Sequence, residues 1–209
     1  MYGKIKNEAI KAFVENKYAI FASILILFIS LVLGYVLEPY LHGYLNPVVD
    51  DLTNKVETGV IQLTFHDIFL NNIMIVLQMF VYGIFFCFSA LILSFNGFFV
   101  GYYAAISPNL TQVFAFTIPH GIFEFSSCIL ACASGFILFN FVCKLIKTFI
   151  EEKEKKLMDR LIYSYDKNFD KLLQSFIILL FAVILMVIAG IFEVYITLPV
   201  GKFVLSFLS

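Results

Sequence analysis

Apolar residues run from Tyr18 to Leu37 with only Ser23, Ser30 and Gly34 interrupting them. About 20 such residues cross the hydrocarbon layer as a helix, so the pattern predicts a first span there, ended by Pro39. A second run extends from Phe69 to Leu93 and is followed by "SFNGFF". Asn-Gly is a strong turn dipeptide, so Asn96-Gly97 predicts a tight hairpin turn at the bilayer surface. A third run, from about Phe98 to Val113, is expected to break at Ser107-Pro108, because the residue before a proline avoids helical dihedrals. A re-entrant element is the alternative reading of that run. Pro119 suits the first turn of a fourth span reaching about Phe141. A fifth runs from about Leu172 to Leu198, with Pro199 closing it. The pattern predicts an all-α polytopic membrane protein, one membrane domain over 1–209, with about five transmembrane helices plus amphipathic surface helices. The ten-residue alternating segments of a membrane β-barrel are absent.

Polar segments separate the runs. In "MYGKIKNEAIKAFVENK" (1–17), Ile5, Ala9, Ala12 and Phe13 recur at helical spacing. This fits an amphipathic helix on the membrane surface or a helical extension of the first span. Residues 39–68 are acidic and punctuated by Pro, Gly and Asn, which predicts an outer loop with some local helix. His42 and His66 lie there as solvated or capping residues. Residues 144–171 carry eight Lys and Arg interspersed with six acids, as a solvated or surface-lying helical connector.

Lys and Arg placement sets orientation. The N-terminal segment has four, 144–171 has eight, and 39–68 has only Lys55. The N-terminus and the 144–171 connector are therefore expected in the cytoplasm and 39–68 outside. Three crossings between residues 68 and 144 fit that parity, giving five in all and placing the C-terminus outside. The first run exceeds a signal-peptide core and lacks a small-residue cleavage site, so no cleavable leader is expected.

Composition supports this picture. The chain is 61% hydrophobic and 14% charged, with a mean hydropathy of +0.94. Its polar residues are too few to cover a soluble domain. A net charge of −1 gives no basis for nucleic-acid binding. Cys87, Cys128, Cys132 and Cys143 lie in apolar runs and read as small buried hydrophobes. Cys128 and Cys132 are one helical turn apart, but no histidine or further cysteine stands near them at zinc-site spacing. No metal or cofactor is expected. There is no Ser-His-Asp set, no P-loop and no GxGxxG, so an enzyme is not expected either.

Ionisable residues within the spans are the informative ones, because charge in hydrocarbon costs several kcal/mol. Glu124 and Glu193 stand out, each within the tetrapeptide GIFE. In a composition this biased, the repeat itself carries no weight. Placement carries more. Glu124 falls about five residues inside the outer start of span four, and Glu193 about five before the outer end of span five. At 1.5 Å per residue, both lie ~8 Å below the outer surface. Ser127, Ala131 and Gly135 share the face of Glu124, and Ala189 and Gly190 that of Glu193. Small residues let helices approach closely, so both carboxylates are expected at helix–helix contacts. His120 is one turn from Glu124, and Asn71 and Asn72 open span two. This cluster could be structural, with Glu124 accepting hydrogen bonds from His120, Asn71 or Asn72. It could instead be a proton, cation or small-ligand site, or a partner-docking pocket.

These residues carry a resemblance. "FLNNIMIVLQMFVYGIFF", "NGFFVGYY", "PHGIFEFSSCILACASG", a charged loop and a last span with a glutamate resemble the stage II sporulation protein M (SpoIIM-like) family over roughly residues 60–200. Its most specific parts are Asn71-Asn72, Asn96-Gly97, His120-Gly121-x-x-Glu124 and Gly135. The resemblance implies a prokaryotic five-span integral membrane protein without catalytic residues. It further implies a scaffold or envelope-organising role; membrane lipids are expected around the spans, and the small-residue stripes offer faces for membrane-protein partners or a homo-oligomer, or for packing within the monomer. A small transporter, channel or lipid-handling protein built on Glu124 and Glu193 is the alternative.

Overall fold

A computed structural model describes residues 2–58, 65–154 and 156–208, and among these the fold is all-α. The helices are α1 (Tyr2–Glu15), α2 (Lys17–Glu57), α3 (Phe65–Val81), α4 (Phe86–Ile106), α5 (Leu110–Glu151), α6 (Leu157–Tyr195) and α7 (Thr197–Leu208). A 3₁₀ turn, Tyr82–Ile84, joins α3 to α4. Among the described residues, α2, α4, α5 and α6 are long and apolar enough to cross a membrane. Two shorter apolar helical stretches, Phe69–Ile84 and Thr197–Phe207, accompany them. The protein is a polytopic helical membrane protein.

Small residues set how closely these helices approach. Gly97 of α4 lies against Leu27 and Ser30 of α2, and Gly101, one turn on, lies against Leu31 and Tyr35. Positions advance together on both helices, so α2 and α4 run in the same direction. Gly34 meets the backbone of Phe98 at the same crossing. A Cβ at any of these glycines would overlap backbone or side-chain atoms, which is the physical use of G-x-x-x-G. The α3–α4 turn is seated likewise, with Gly83 against Gly135 of α5. There the Ser89 hydroxyl donates to the Met79 carbonyl and ties the two sides of the break together.

Asn96-Gly97 is therefore not a hairpin turn but lies inside α4. Asn96 bonds back to the Ile92 carbonyl at 2.9 Å, a helix-compatible use of an asparagine side chain. The reversal falls instead at Tyr82–Phe85, where Phe85 leaves the helical region at φ −108°, ψ 89°.

Pro39 does not end the first span, since α2 continues through Pro39 and Pro47 to Glu57. A proline costs a helix one hydrogen bond and a steric clash, and here side chains bracket it. Glu38 Oε1 lies 2.6 Å from His42 Nδ1, and Asn46 Nδ2 lies 3.0 Å from His42 Nε2. The fully buried Tyr102 of α4 closes this ladder by donating its hydroxyl to Asn46 Oδ1 at 2.5 Å. The 39–57 part of the expected outer loop is thus helical, and residues 59–64 lie outside the described ones.

Pro119 also lies within a helix rather than starting one. α5 begins nine residues earlier at Leu110, where Asn109 Oδ1 accepts from the Gln112 amide at 3.1 Å, the geometry of an N-cap. The expected break at Ser107-Pro108 coincides with the observed end of α4 at Ile106. Pro199 begins nothing new and ends nothing, because it occupies the first turn of α7, where its missing N–H is harmless. The 144–171 connector is the far end of an α5–α6 helical hairpin, in which α5 ends at Glu151 and α6 begins at Leu157.

Candidate functional site

α5 and α6 pack antiparallel along their lengths. Ser127 of α5 donates to the Ala182 carbonyl of α6 at 2.7 Å, and toward the other end Arg160 of α6 donates to the Phe149 carbonyl. The small residues on α5 make this approach possible. Ser127 and Ala131 are fully buried, and Ala189 and Gly190 are buried on α6. Gly135 serves the crossing with the α3–α4 turn instead.

This packing brings Glu124 and Glu193 within electrostatic range of each other. Phe123 and Phe192, the residues preceding them, stack at 4.7 Å between ring centroids. Neither carboxylate is sealed off. The Glu124 side chain is 29% exposed, and Glu193 is half-buried. Among the described residues no hydrogen bond reaches either one.

His120 lies one turn before Glu124, with Nε2 4.0 Å from Oε2, beyond hydrogen-bond length. Its Nδ1 stands 3.1 Å from the Thr197 hydroxyl. Thr197 already donates to the Phe192 carbonyl at 3.0 Å, so His120 Nδ1–H is the donor to Thr197, an assignment made from the network. The lone pair of neutral Nε2 then faces the Glu124 carboxylate. A proton held by either group would sit between them.

A family comparison decides what this arrangement belongs to, since the family model "Stage II sporulation protein M" matches residues 22–198. The chain belongs to the stage II sporulation protein M family. An uncharacterized protein of the archaeon Methanocaldococcus jannaschii is 33% identical over 161 residues, covering 75% of this chain and 82% of that protein. No solved structure matches.

In this family member the other expected cluster residues, Asn71 and Asn72, make no hydrogen bond to Glu124 or Glu193 among the described residues. Asn71 is exposed and Asn72 half-buried on α3, and the amide of the first reaches the second at 3.5 Å. His66 is exposed beside Asp67 at 3.6 Å. Cys128 and Cys132 are buried in the core and Cys143 is exposed. The side chain of Cys87 lies outside the described ones. Among the described residues, no three His, Cys, Asp or Glu side chains gather as a metal would need.

The structure also assembles a polar cluster that sequence reading missed, where α1 meets α6. Gln174 is 1% exposed and donates from Nε2 to Glu15 Oε2 at 2.8 Å. Lys171 Nζ reaches the same carboxylate oxygen at 3.1 Å and Gln174 Oε1 at 2.8 Å. The buried Asn16 bridges the Ala12 carbonyl and Gln174 Oε1, both at 2.8 Å. Lys11 adds an exposed pair with Asp170 at 3.3 Å. Hydrogen bonds from Gln174 and Lys171 hold the Glu15 carboxyl below the usual glutamate range. Beside the cluster, Phe13 stacks edge-on against Phe181 with centroids 5.2 Å apart. Partners more than 150 positions apart leave no local pattern. The one available signal was a glutamine standing alone on an apolar helix.

Proposed function

We propose that this protein is a non-enzymatic membrane scaffold whose working surface is the charged end of the α5–α6 hairpin. One observation carries the reading: that end is fastened into a rigid arm. α5 and α6, of 42 and 39 residues, are each roughly 60 Å long, twice the hydrocarbon thickness. Arg160 clamps the arm, donating from Nε at 3.0 Å to the Phe149 carbonyl while its guanidinium stacks on the Phe149 ring at 4.3 Å. Asn168 Nδ2 bonds Thr148 Oγ1 at 3.2 Å, and the α1 cluster braces α6 at the arm's base. A segment with so many charges would serve as a plain connector without such fastening.

In this reading α2, α3, α4, α5 and α6 cross the membrane in turn. The Lys- and Arg-rich α1 and arm face the cytoplasm and the C-terminus lies outside. Membrane lipids surround the bundle, other membrane-associated proteins dock on the arm, and nucleic acid has no part. The test replaces residues 152–156 with a flexible Gly-Ser linker and adds Arg160→Ala. Proteins co-purifying in native-lipid particles are then quantified against the unaltered chain. A defined set should be lost at unchanged protein level. Retention of every partner would refute the reading.

One observation favours a second reading, a proton or cation site at Glu124 and Glu193. The carboxylates stand opposed without the hydrogen bonds that a purely structural pair would be given. Glu124→Gln separates the two. A ligand site loses ion or proton movement in proteoliposomes with assembly intact, whereas a scaffold keeps its partners.

A further inference from the structure

Beyond Leu37, where its apolar run ends, α2 leaves the hydrocarbon and carries a ladder of polar side chains. Glu38, His42 and Asn46 follow one another a helical turn apart, and Tyr102 of α4 stands at the end. The hydrogens of this ladder are assigned from its partners. The fully buried Tyr102 hydroxyl gives its hydrogen to Asn46 Oδ1. The Asn46 amide nitrogen, which can only donate, faces His42 Nε2 at 3.0 Å. Nε2 is therefore the nitrogen with the lone pair, and Nδ1 carries the hydrogen given to Glu38 Oε1 at 2.6 Å. The ladder closes only with His42 neutral.

A second proton on the ring goes to Nε2, which then points a hydrogen at the Asn46 amide hydrogens. Two donors cannot bond. The ring is kept from swinging aside, because the same proton turns its bond to Glu38 into a charge-assisted pair, roughly twice as strong as a neutral one. The conflict therefore falls on Asn46. Turning its amide over gives the oxygen to His42 and the nitrogen to Tyr102, whose own hydrogen is then left without an acceptor in a buried site, at a cost. Glu38 faces His42 directly, and Glu38 and Asp50 are the charges that act on Tyr102. The neighbouring stretches, α4 and the first turns of α5 beside Tyr35, carry no acid, base or histidine that would hold the proton instead.

We propose that this ladder is a pH switch, in which protonation of His42 breaks the tie between Asn46 and Tyr102 and frees the stretch of α2 beyond Pro39 from α4. The tie is whole while His42 is neutral and is lost as the pH falls. The His42 side chain is 60% exposed, so protons reach it from water, whereas Tyr102 is sealed in the bundle. A charge gained at the surface is thereby read inside. Pro39 lies between the span and the ladder, and its missing hydrogen bond makes it the pivot of the freed stretch. The switch is independent of the arm and of the carboxylate pair.

The experiment places spin-label amino acids at Val48 of α2 and Tyr103 of α4, both exposed, in the full chain in native-lipid particles. Their distance distribution is read at about pH 8 and about pH 5, either side of the ordinary imidazole value of about 6.5. The proposal expects a narrow distribution at the higher pH and one roughly twice as wide at the lower, as a local opening gives. His42→Gln, at an exposed position, does not titrate in this range and should give one distribution at both pH values. Tyr102→Phe has no tie to break and should show the wide distribution at both. An unaltered chain that does not respond to pH, or a response that survives in either variant, would overturn the proposal.

Discussion

Gly83 and Gly135 lie backbone to backbone where the turn between α3 and α4 crosses α5. A Cβ on Gly83 would overlap the main chain of Gly135, and one on Gly135 would overlap the Ser89 hydroxyl and the Met79 carbonyl, a main-chain atom that cannot yield as a flexible side chain can. Gly135→Val should therefore cost about 3 kcal/mol or more, at the upper end for overpacking, and leave little monodisperse protein after purification. Gly43 of α2 has open space around its Cβ position. Gly43→Ala should raise the melting temperature slightly, by the ~1 kcal/mol separating alanine from glycine in a helix. Thermal unfolding of both variants in one detergent checks the contrast.

Asn96 is a helical residue whose side chain bonds its own helix. Asn96→Ala should be neutral or stabilising by about 0.5 kcal/mol, following helix propensity. Were it the turn residue its dipeptide suggests, the same change would lower the melting temperature.

Tyr102 holds the stretch of α2 that contains Pro39 and Pro47 through Asn46. Tyr102→Phe removes one hydrogen bond at a buried site and should cost about 1 kcal/mol. Hydrogen exchange should rise over 39–50 and stay unchanged in α5 and α6. A uniform rise would mean that the ladder does not support the prolines locally.

Docking of α1 should depend on pH through Glu15. Its carboxyl lies below the usual range because Gln174 and Lys171 bond the charged form. The contribution is fully present above the ordinary glutamate pKa of about 4.3 and is lost as pH falls through the lowered folded value. A spin-label distance between α1 and α6 should hold constant from neutral pH to about 4.5 and lengthen below. Glu15→Gln should remove that dependence.

Hydrophobic runs made the helices and the membrane legible in the sequence, because long apolar stretches have few other homes. Motif residues made the family legible. Boundaries failed at Pro39, at Asn96-Gly97 and at Pro119, and at the first two a local breaker signal was overridden by a contact from elsewhere in the chain. Gly97 looks like a turn residue until α2 is laid against it. Pro39 looks like a stop until Tyr102 closes the ladder beyond it. Glu124, His120 and Glu193 could be placed together by depth alone, whereas Asn71 and Asn72 could not, since depth says nothing about which neighbour a helix faces. Thr197 went unread because the helix end at Tyr195 was unforeseen. The Glu15, Lys171 and Gln174 cluster left one faint sign, the lone glutamine on apolar α6, because its partners lie more than 150 positions apart.

The central claim is that the arm, not the carboxylate pair, carries the protein's function. Partner retention in native-lipid particles tests it most directly, compared between the loosened arm (152–156 as a Gly-Ser linker with Arg160→Ala) and Glu124→Gln with Glu193→Gln. The account predicts that the first variant loses a defined set of partners at normal abundance while the second keeps them. Retention through the loosened arm, with loss in the carboxylate variant, would contradict it.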